Sequence, residues 1–225
     1  SEGWVDGSRV ANYDNWWGSD WFGLYNTEYY PWIFHQNLGW IYINAESERG
    51  VWLYRDKLGW IWTLPEVFPH LYINKARQWS YLNQDTYNTT LYDYSYEEWF
   101  EADVPIQITG KISPVNGGEV TGLGSYYRWD PVILEAKPSD AFNFAGWNGD
   151  LFSLKPEIEF EAIKDTKIDA SFIRIPSSNS SSQEVMQSAM DALNKMNHLN
   201  EDQKKKSLAE LLIYGSSPTS GLKFK

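Results

Sequence analysis

The stretch Trp32-Ile33-Phe34-His35-Gln36-Asn37-Leu38-Gly39-Trp40-Ile41-Tyr42 returns twenty positions on as Trp52-Leu53-Tyr54-Arg55-Asp56-Lys57-Leu58-Gly59-Trp60-Ile61-Trp62. A match this dense marks an internal repeat, and short-period repeats build arrays in which each unit covers its neighbour. A third copy runs from Tyr72 to Tyr81 and keeps Trp79. A fourth runs from Tyr92 to Phe100 and keeps Trp99, and Tyr13 and Trp21 mark a degenerate leading copy, so the repeats span residues 10–101. In each copy aromatic and β-branched runs flank a short polar loop, where Gly39 or Gly59 can supply the positive φ that closes it. Each copy is therefore predicted to be a β-hairpin.

Strand alternation sorts the side chains of these hairpins onto two faces. Trp52, Tyr54, Trp60 and Trp62 share one and Leu53 and Ile61 the other, while Trp32, Phe34, Trp40 and Tyr42 divide from Ile33 and Ile41 in the same way. Both faces are apolar, so the aromatic one must meet something. The expected main use is structural: Trp32, Trp40, Trp52, Trp60 and Trp79 stack between successive hairpins as the core, since repeats must bury a continuous seam. The second use is binding, with rings at the edge of the array serving as platforms for sugar rings or cages for cations. The candidate ligand-binding residues are Trp32, Trp40, Trp52, Tyr54, Trp60, Trp62 and Trp79.

From residue 104 to 176 the character changes. Thr109-Gly110 and Asn116-Gly117-Gly118 supply turns, and Ile133-Leu134-Glu135-Ala136 and Ile168-Asp169-Ala170-Ser171-Phe172 alternate like strands, which predicts a compact β-rich module. The Ser-rich run at 177–182 reads as a linker by composition. In the tail, 183–225, Ser181 to Glu184 fits a capping box, and Val185, Ala189, Leu193 and Met196 fall on one helical stripe. A second helix starts at Asn200, with Gln203 at the matching cap position, and carries Leu208, Leu211 and Leu212 to a stop at Gly215. Two short amphipathic helices bury little alone. Their stripes (Val185, Ala189, Leu193, Met196 and Leu208, Leu211, Leu212) are expected to dock between subunits, making self-association the expected use of the tail.

Composition narrows the function classes. Aromatic residues reach 17%, with 13 Trp and 15 Tyr, an excess that suits binding faces as well as cores. Thirty acidic against nineteen basic residues give a formal charge of -11, and Lys204-Lys205-Lys206 is the one basic run, which argues against a nucleic-acid partner. There is no Cys, hence no disulfide framework, thiolate metal site or Cys nucleophile. No stretch approaches the ~20 apolar residues of a membrane-spanning helix. The opening Ser1-Glu2-Gly3-Trp4 lacks the features of a signal peptide, so either a leader has been removed or the sequence is an excerpt of a longer chain.

Gly117-Gly118-Glu119-Val120-Thr121-Gly122-Leu123-Gly124-Ser125-Tyr126, Val132-Ile133-Leu134-Glu135-Ala136-Lys137-Pro138, Phe144-Ala145-Gly146-Trp147-Asn148-Gly149-Asp150 and Asp169-Ala170-Ser171-Phe172 occur in that order. Together they resemble the divergent internalin-type B-repeat, over about a third of the chain. The resemblance implies a small β-grasp-like module used as a spacer or adhesive element in bacterial surface and secreted proteins. Arg128-Trp129-Asp130-Pro131 stands where that family has a smaller Gly-rich turn, which puts a shared ligand in doubt. The hairpin array is similar, more loosely, to the aromatic repeats of choline-binding and glucan-binding cell-wall proteins. It departs from them in its longer Leu-Gly-Trp-Ile strands, so choline specificity does not carry over.

Catalytic patterns are scarce. His35, His70 and His198 stand outside any H-E-x-x-H context and read as surface or hairpin-loop residues, and Gly122-Leu123-Gly124 lacks the spacing of a nucleotide loop. Asp56, Asp150, Asp165 and Asp169 lack the alternate spacing of a calcium loop and read as solvating charges. No catalytic residue, metal or cofactor is assigned. The expectation is a mainly β chain, an aromatic β-hairpin repeat array and a β-grasp-like module followed by a C-terminal helical hairpin. Its expected role is non-enzymatic, extracellular or at the bacterial cell surface, adhesive or polysaccharide-binding. Two alternatives stay open: a self-assembling subunit of an extracellular filament or surface layer, and an accessory non-catalytic region of a larger secreted enzyme.

Overall fold

The computed structural model describes residues 7–44, 50–175, 182–194, 200 and 202–203. The chain divides into two compact units. The first holds the chain up to Ile106 together with Tyr126–Asp130 and Glu161–Ile163, and the second holds Gln107–Ser125, Pro131–Phe160 and the chain from Lys164 on.

The first unit is an antiparallel meander of eleven strands in which each pairs with the next in sequence. They are β1 (Ser8–Arg9), β2 (Trp16–Ser19), β3 (Gly23–Asn26), β4 (Trp32–His35), β5 (Gly39–Asn44), β6 (Val51–Arg55), β7 (Gly59–Thr63), β8 (His70–Ile73), β9 (Gln78–Leu82), β10 (Thr90–Asp93) and β11 (Glu98–Glu101). Short loops set the register: His35 faces Gly39 and Arg55 faces Gly59 across three-residue connections. Gly39 and Gly59 sit at φ 68° and 72°, where a residue with a Cβ is strained. In the hairpins that have lost this Gly, the left-handed residue lies one position earlier relative to the indole, at Arg77 (φ 54°) and Glu97 (φ 54°), two residues before Trp79 and Trp99.

The aliphatic face is the core. Ile33, Ile41, Ile43, Val51, Leu53, Ile61, Leu71, Ile73, Leu82 and Leu91 are all buried, and Phe22, Leu38 and Leu58 fold in from the loops to close one end. A single sheet without a second layer can bury a face only by curling it inward. Contacts between non-neighbouring hairpins show the curl: Phe22 meets Phe68 at 5.5 Å, and the Asn37 amide donates to the carbonyls of Gln84 (3.0 Å) and Thr86 (2.7 Å). Among the described residues the order stays open, with β1 and β11 each having one partner.

In the second unit, β12 (Ile106–Thr109), β13 (Ile112–Ser113), β15 (Gly124–Tyr126), β17 (Phe142–Gly149) and β19 (Thr166–Arg174) form one sheet, with β12 and β13 parallel to β19 and β17 antiparallel to it. β14 (Gly118–Thr121), β16 (Pro131–Pro138) and β18 (Glu157–Glu161) form a second sheet of three. Trp147 is fully buried and its indole N–H donates to the Lys155 carbonyl at 3.0 Å. Beside it the register slips between Phe144 and Gly146, and Gly149 (φ 126°) lies against the Lys167 carbonyl, where a Cβ has no room. The acidic residues do more than solvate. Asp150, Asp165 and Asp169 accept from the backbone N–H groups of Lys167 (2.7 Å), Gln107 (2.8 Å) and Lys111 (2.8 Å) and so tie strands together, whereas Asp56 pairs with Lys57 at 2.7 Å.

One helix, α1 (Ser182–Asn194), follows the second unit's strands and packs on β19. Ala189 and Leu193 are buried within their own chain, which differs from the expectation that they wait for a second subunit: the chain itself already covers these two side chains. Val185 lies in α1, Ser182 begins it, and Met196, Leu208, Leu211 and Leu212 lie outside the described residues. Of the expected second helix only Asn200 and residues 202–203 are described. Asn200 and Gln203 exchange reciprocal bonds of 3.0 and 2.8 Å, the capping-box pattern, while the rest of the expected helical hairpin lies outside the described residues. No helix among the described residues is long and apolar enough to cross a membrane.

Candidate functional site: the aromatic face

The outer face of β4 to β10 carries Trp32, Phe34, Trp40, Tyr42, Asn44, Trp52, Tyr54, Trp60, Trp62, His70, Tyr72, Trp79, Tyr81, Thr90 and Tyr92. None of these positions holds Asp, Glu, Lys or Arg, although the chain as a whole carries a charge of -11. A one-sided antiparallel sheet ordinarily turns polar residues to water. This one turns twelve aromatic rings.

The expected role of Trp32, Trp40, Trp52, Trp60 and Trp79 as the core is overturned. Trp32, Trp40, Trp60 and Trp79 are 41%, 49%, 38% and 38% exposed, and Trp52 is half-buried on the same face. The cause is the curl: branched aliphatic side chains fit the crowded inside, and indoles fit the splayed outside. All seven candidate binding residues lie on this outer face, with Tyr54 and Trp62 half-buried among them. Trp99, 50% exposed on the outer side of β11, belongs with them. The repeat alignment contained that signal, since Trp99 occupies the position of Trp40, Trp60 and Trp79.

Pairing across the strands holds these rings in a recurring arrangement. Each indole that follows a loop stands edge-on to two neighbours: Trp40 to Phe34 (5.6 Å) and Tyr29 (5.8 Å), and Trp60 to Tyr54 (5.4 Å) and Tyr42 (6.4 Å). Trp79 stands so to Tyr72 (5.7 Å) and Trp62 (5.9 Å), and Trp99 to Tyr92 (5.2 Å) and Tyr81 (6.1 Å). Such edge-to-face pairs contribute about 0.5–1.5 kcal/mol each beyond area burial. They fix the ring orientations, so a molecule stacking on these rings would meet them already ordered. His70 joins this face rather than a loop, its ring parallel to that of Tyr94 (6.2 Å, 12°) and its Nε2 3.1 Å from the Tyr94 hydroxyl. His198 lies outside the described residues.

A second, inward constellation holds the scaffold. Successive hairpins are stapled at their loop ends by donors of differing type aimed at the preceding loop's carbonyls. His35 Nε2 donates to Phe22 (2.6 Å), Arg55 Nε to Leu38 (2.7 Å) and Lys75 Nζ to Lys57 (2.6 Å). Arg55 also forms a two-pronged pair with Asp103 at 2.7 and 3.0 Å. Asp93, fully buried, accepts from Gln78 and the backbone of Ser95 and from Arg128 (3.0 Å), while Arg128 reaches Glu98 at 2.7 Å. The reading of His35 as a surface residue is thus corrected: the ring is completely buried and its Nδ1 accepts from the N–H groups of Asn37 and Leu38.

Burial lowers the pKa of His35 from 6.5 to about 4, against an opposing pull from the Phe22 carbonyl. In the unfolded chain the ring takes up its proton near 6.5, in the folded chain only near 4. The stability that depends on a neutral ring is therefore complete above 6.5 and is lost as pH falls from 6.5 toward 4. The loss amounts to roughly 3 kcal/mol. Urea titrations at pH 7.5 and 4.5 check this: His35→Gln is expected to flatten the pH dependence of the wild-type protein, and an unchanged dependence contradicts the assignment.

Among the described residues no three His, Asp or Glu side chains converge as metal ligands would. Compared with protein-family models, curated proteins and solved structures, the chain matches none.

Proposed function

We propose that this is a non-enzymatic bacterial protein, extracellular or at the cell surface, that binds polysaccharide through the outer face of its hairpin array. The second unit serves on this reading as a β-grasp-like spacer. The observation that carries the proposal is the uncharged face of half-exposed, mutually clamped indoles. Soluble proteins seldom leave a contiguous apolar surface of this kind without a partner, and pyranose rings stack their C–H faces on rings held in this way.

The same open face and the open strands β1 and β11 favour one other reading, a subunit that assembles with copies of itself into a filament or layer. Affinity electrophoresis through gels containing cell-wall and algal polysaccharides separates the two. Retardation by at least one polysaccharide, from a protein monomeric in light scattering, is the expected result. Unretarded migration in every gel, with particles that grow with concentration, favours the structural subunit and refutes the binding role.

A further inference from the structure

The post-loop indoles form a lattice with a fixed step. Tyr42, Tyr54 and Trp60 lie opposite one another across β5, β6 and β7, so Trp60 sits level with Tyr42, two residues along β5 from Trp40. Trp62, Tyr72 and Trp79 place Trp79 two residues along β7 from Trp60, and Tyr81, Tyr92 and Trp99 place Trp99 two residues along β9 from Trp79. Each step crosses two strands, about 10 Å, and advances two residues, about 7 Å, so equivalent indoles recur at about 12 Å along one diagonal. Trp40, Trp60, Trp79 and Trp99 therefore make a single row, and each is 38–50% exposed.

We propose, resting on the polysaccharide-binding reading, that the ligand is an uncharged, extended linear glycan lying along this diagonal. On this account it stacks one segment on each of Trp40, Trp60, Trp79 and Trp99. Three observations on the face select this class. A row with equal steps suits a polymer that repeats, each step being of the order of a disaccharide, rather than a single sugar. Between Trp32 and Tyr92 the face offers no cation for a sulfate or uronate and no carboxylate for an amino sugar, and at its far end Glu101, opposite Thr90 on β11, adds a carboxylate that repels an anionic polymer. Tyr42, Tyr54, Tyr72, Tyr81 and Tyr92 lie between the indoles and carry hydroxyls that can bond those of a neutral sugar.

The test is isothermal titration of the full chain with one neutral glycan in graded lengths, from monosaccharide to chains that span the array, beside a uronate polymer of matched length. Affinity is expected to rise about 2- to 10-fold for each further indole reached and to level off once four are spanned. Trp60→Ala is expected to weaken the longest chain about 2- to 10-fold and Trp60→Phe less, with far-ultraviolet circular dichroism unchanged in both. Affinity independent of length, or tighter binding of the uronate polymer, overturns the diagonal neutral-chain proposal and leaves polysaccharide binding standing. Binding of none of these sugars, nor of any other polysaccharide, overturns both.

Discussion

Replacing Arg128 by alanine is expected to cost the hairpin array roughly 3–5 kcal/mol of stability, the range found when one partner of a buried ion pair is removed. Arg128 stands twenty-seven residues past the last array strand, yet it belongs to the same compact unit. Its side chain is 6% exposed and that of Asp93 is fully buried, so the variant leaves a carboxylate without its cation in a site closed to water. The guanidinium also covers the rings of Phe100 at 4.6 Å and Tyr96 at 5.4 Å. Lys137→Ala serves as the contrast. Its pair with Glu135 is exposed on both sides (59% and 41%), and its removal is expected to change stability by less than about 1 kcal/mol. Urea denaturation followed by tryptophan fluorescence measures both, and equal losses contradict the role given to Arg128.

The second large effect concerns binding. A variant with Trp40, Trp60, Trp79 and Trp99 all changed to alanine is expected to lose two to three orders of magnitude of affinity for a polysaccharide that the natural protein retains. Four stacking contacts of about 1 kcal/mol each support that size, with some shortfall because neighbouring contacts do not add independently. The variant also gives up the edge-to-face pairs of those indoles and is expected to be less stable, so its affinity is measured under conditions in which far-ultraviolet circular dichroism shows it folded. Retained affinity in a folded quadruple variant would place the ligand elsewhere.

The hairpins and their two faces could be read directly, because alternation over four to six residues leaves no second way to sort Trp52 from Leu53 or Trp60 from Ile61. Which face lies inside could not, since both are apolar and the choice depends on the direction in which the whole sheet curls. The staples were hidden for another reason. His35, Arg55 and Lys75 perform one task with three side chains and shifted positions, so an alignment of repeats passes over them. Leu38 and Leu58 are legible as repeat residues, but the polar composition around them does not show that a three-residue connection turns them into the core. The Arg128–Asp93 pair joins positions far apart in sequence, beyond the reach of any periodicity. Its one sequence signal was the bulky Arg128-Trp129-Asp130 run where the resembling family has a small turn. Trp129 is buried in the array's core, its ring 4.9 Å from that of Phe100.

Hydroxyl-radical footprinting of the tryptophans, with and without a retained polysaccharide, tests the central claim most directly because it reads each indole separately. The account predicts strong protection of Trp40, Trp60, Trp79 and Trp99 on binding, with Trp129 and Trp147 slow to react in both states because the fold already buries them. Binding that leaves the four outer indoles as reactive as in the free protein would contradict it.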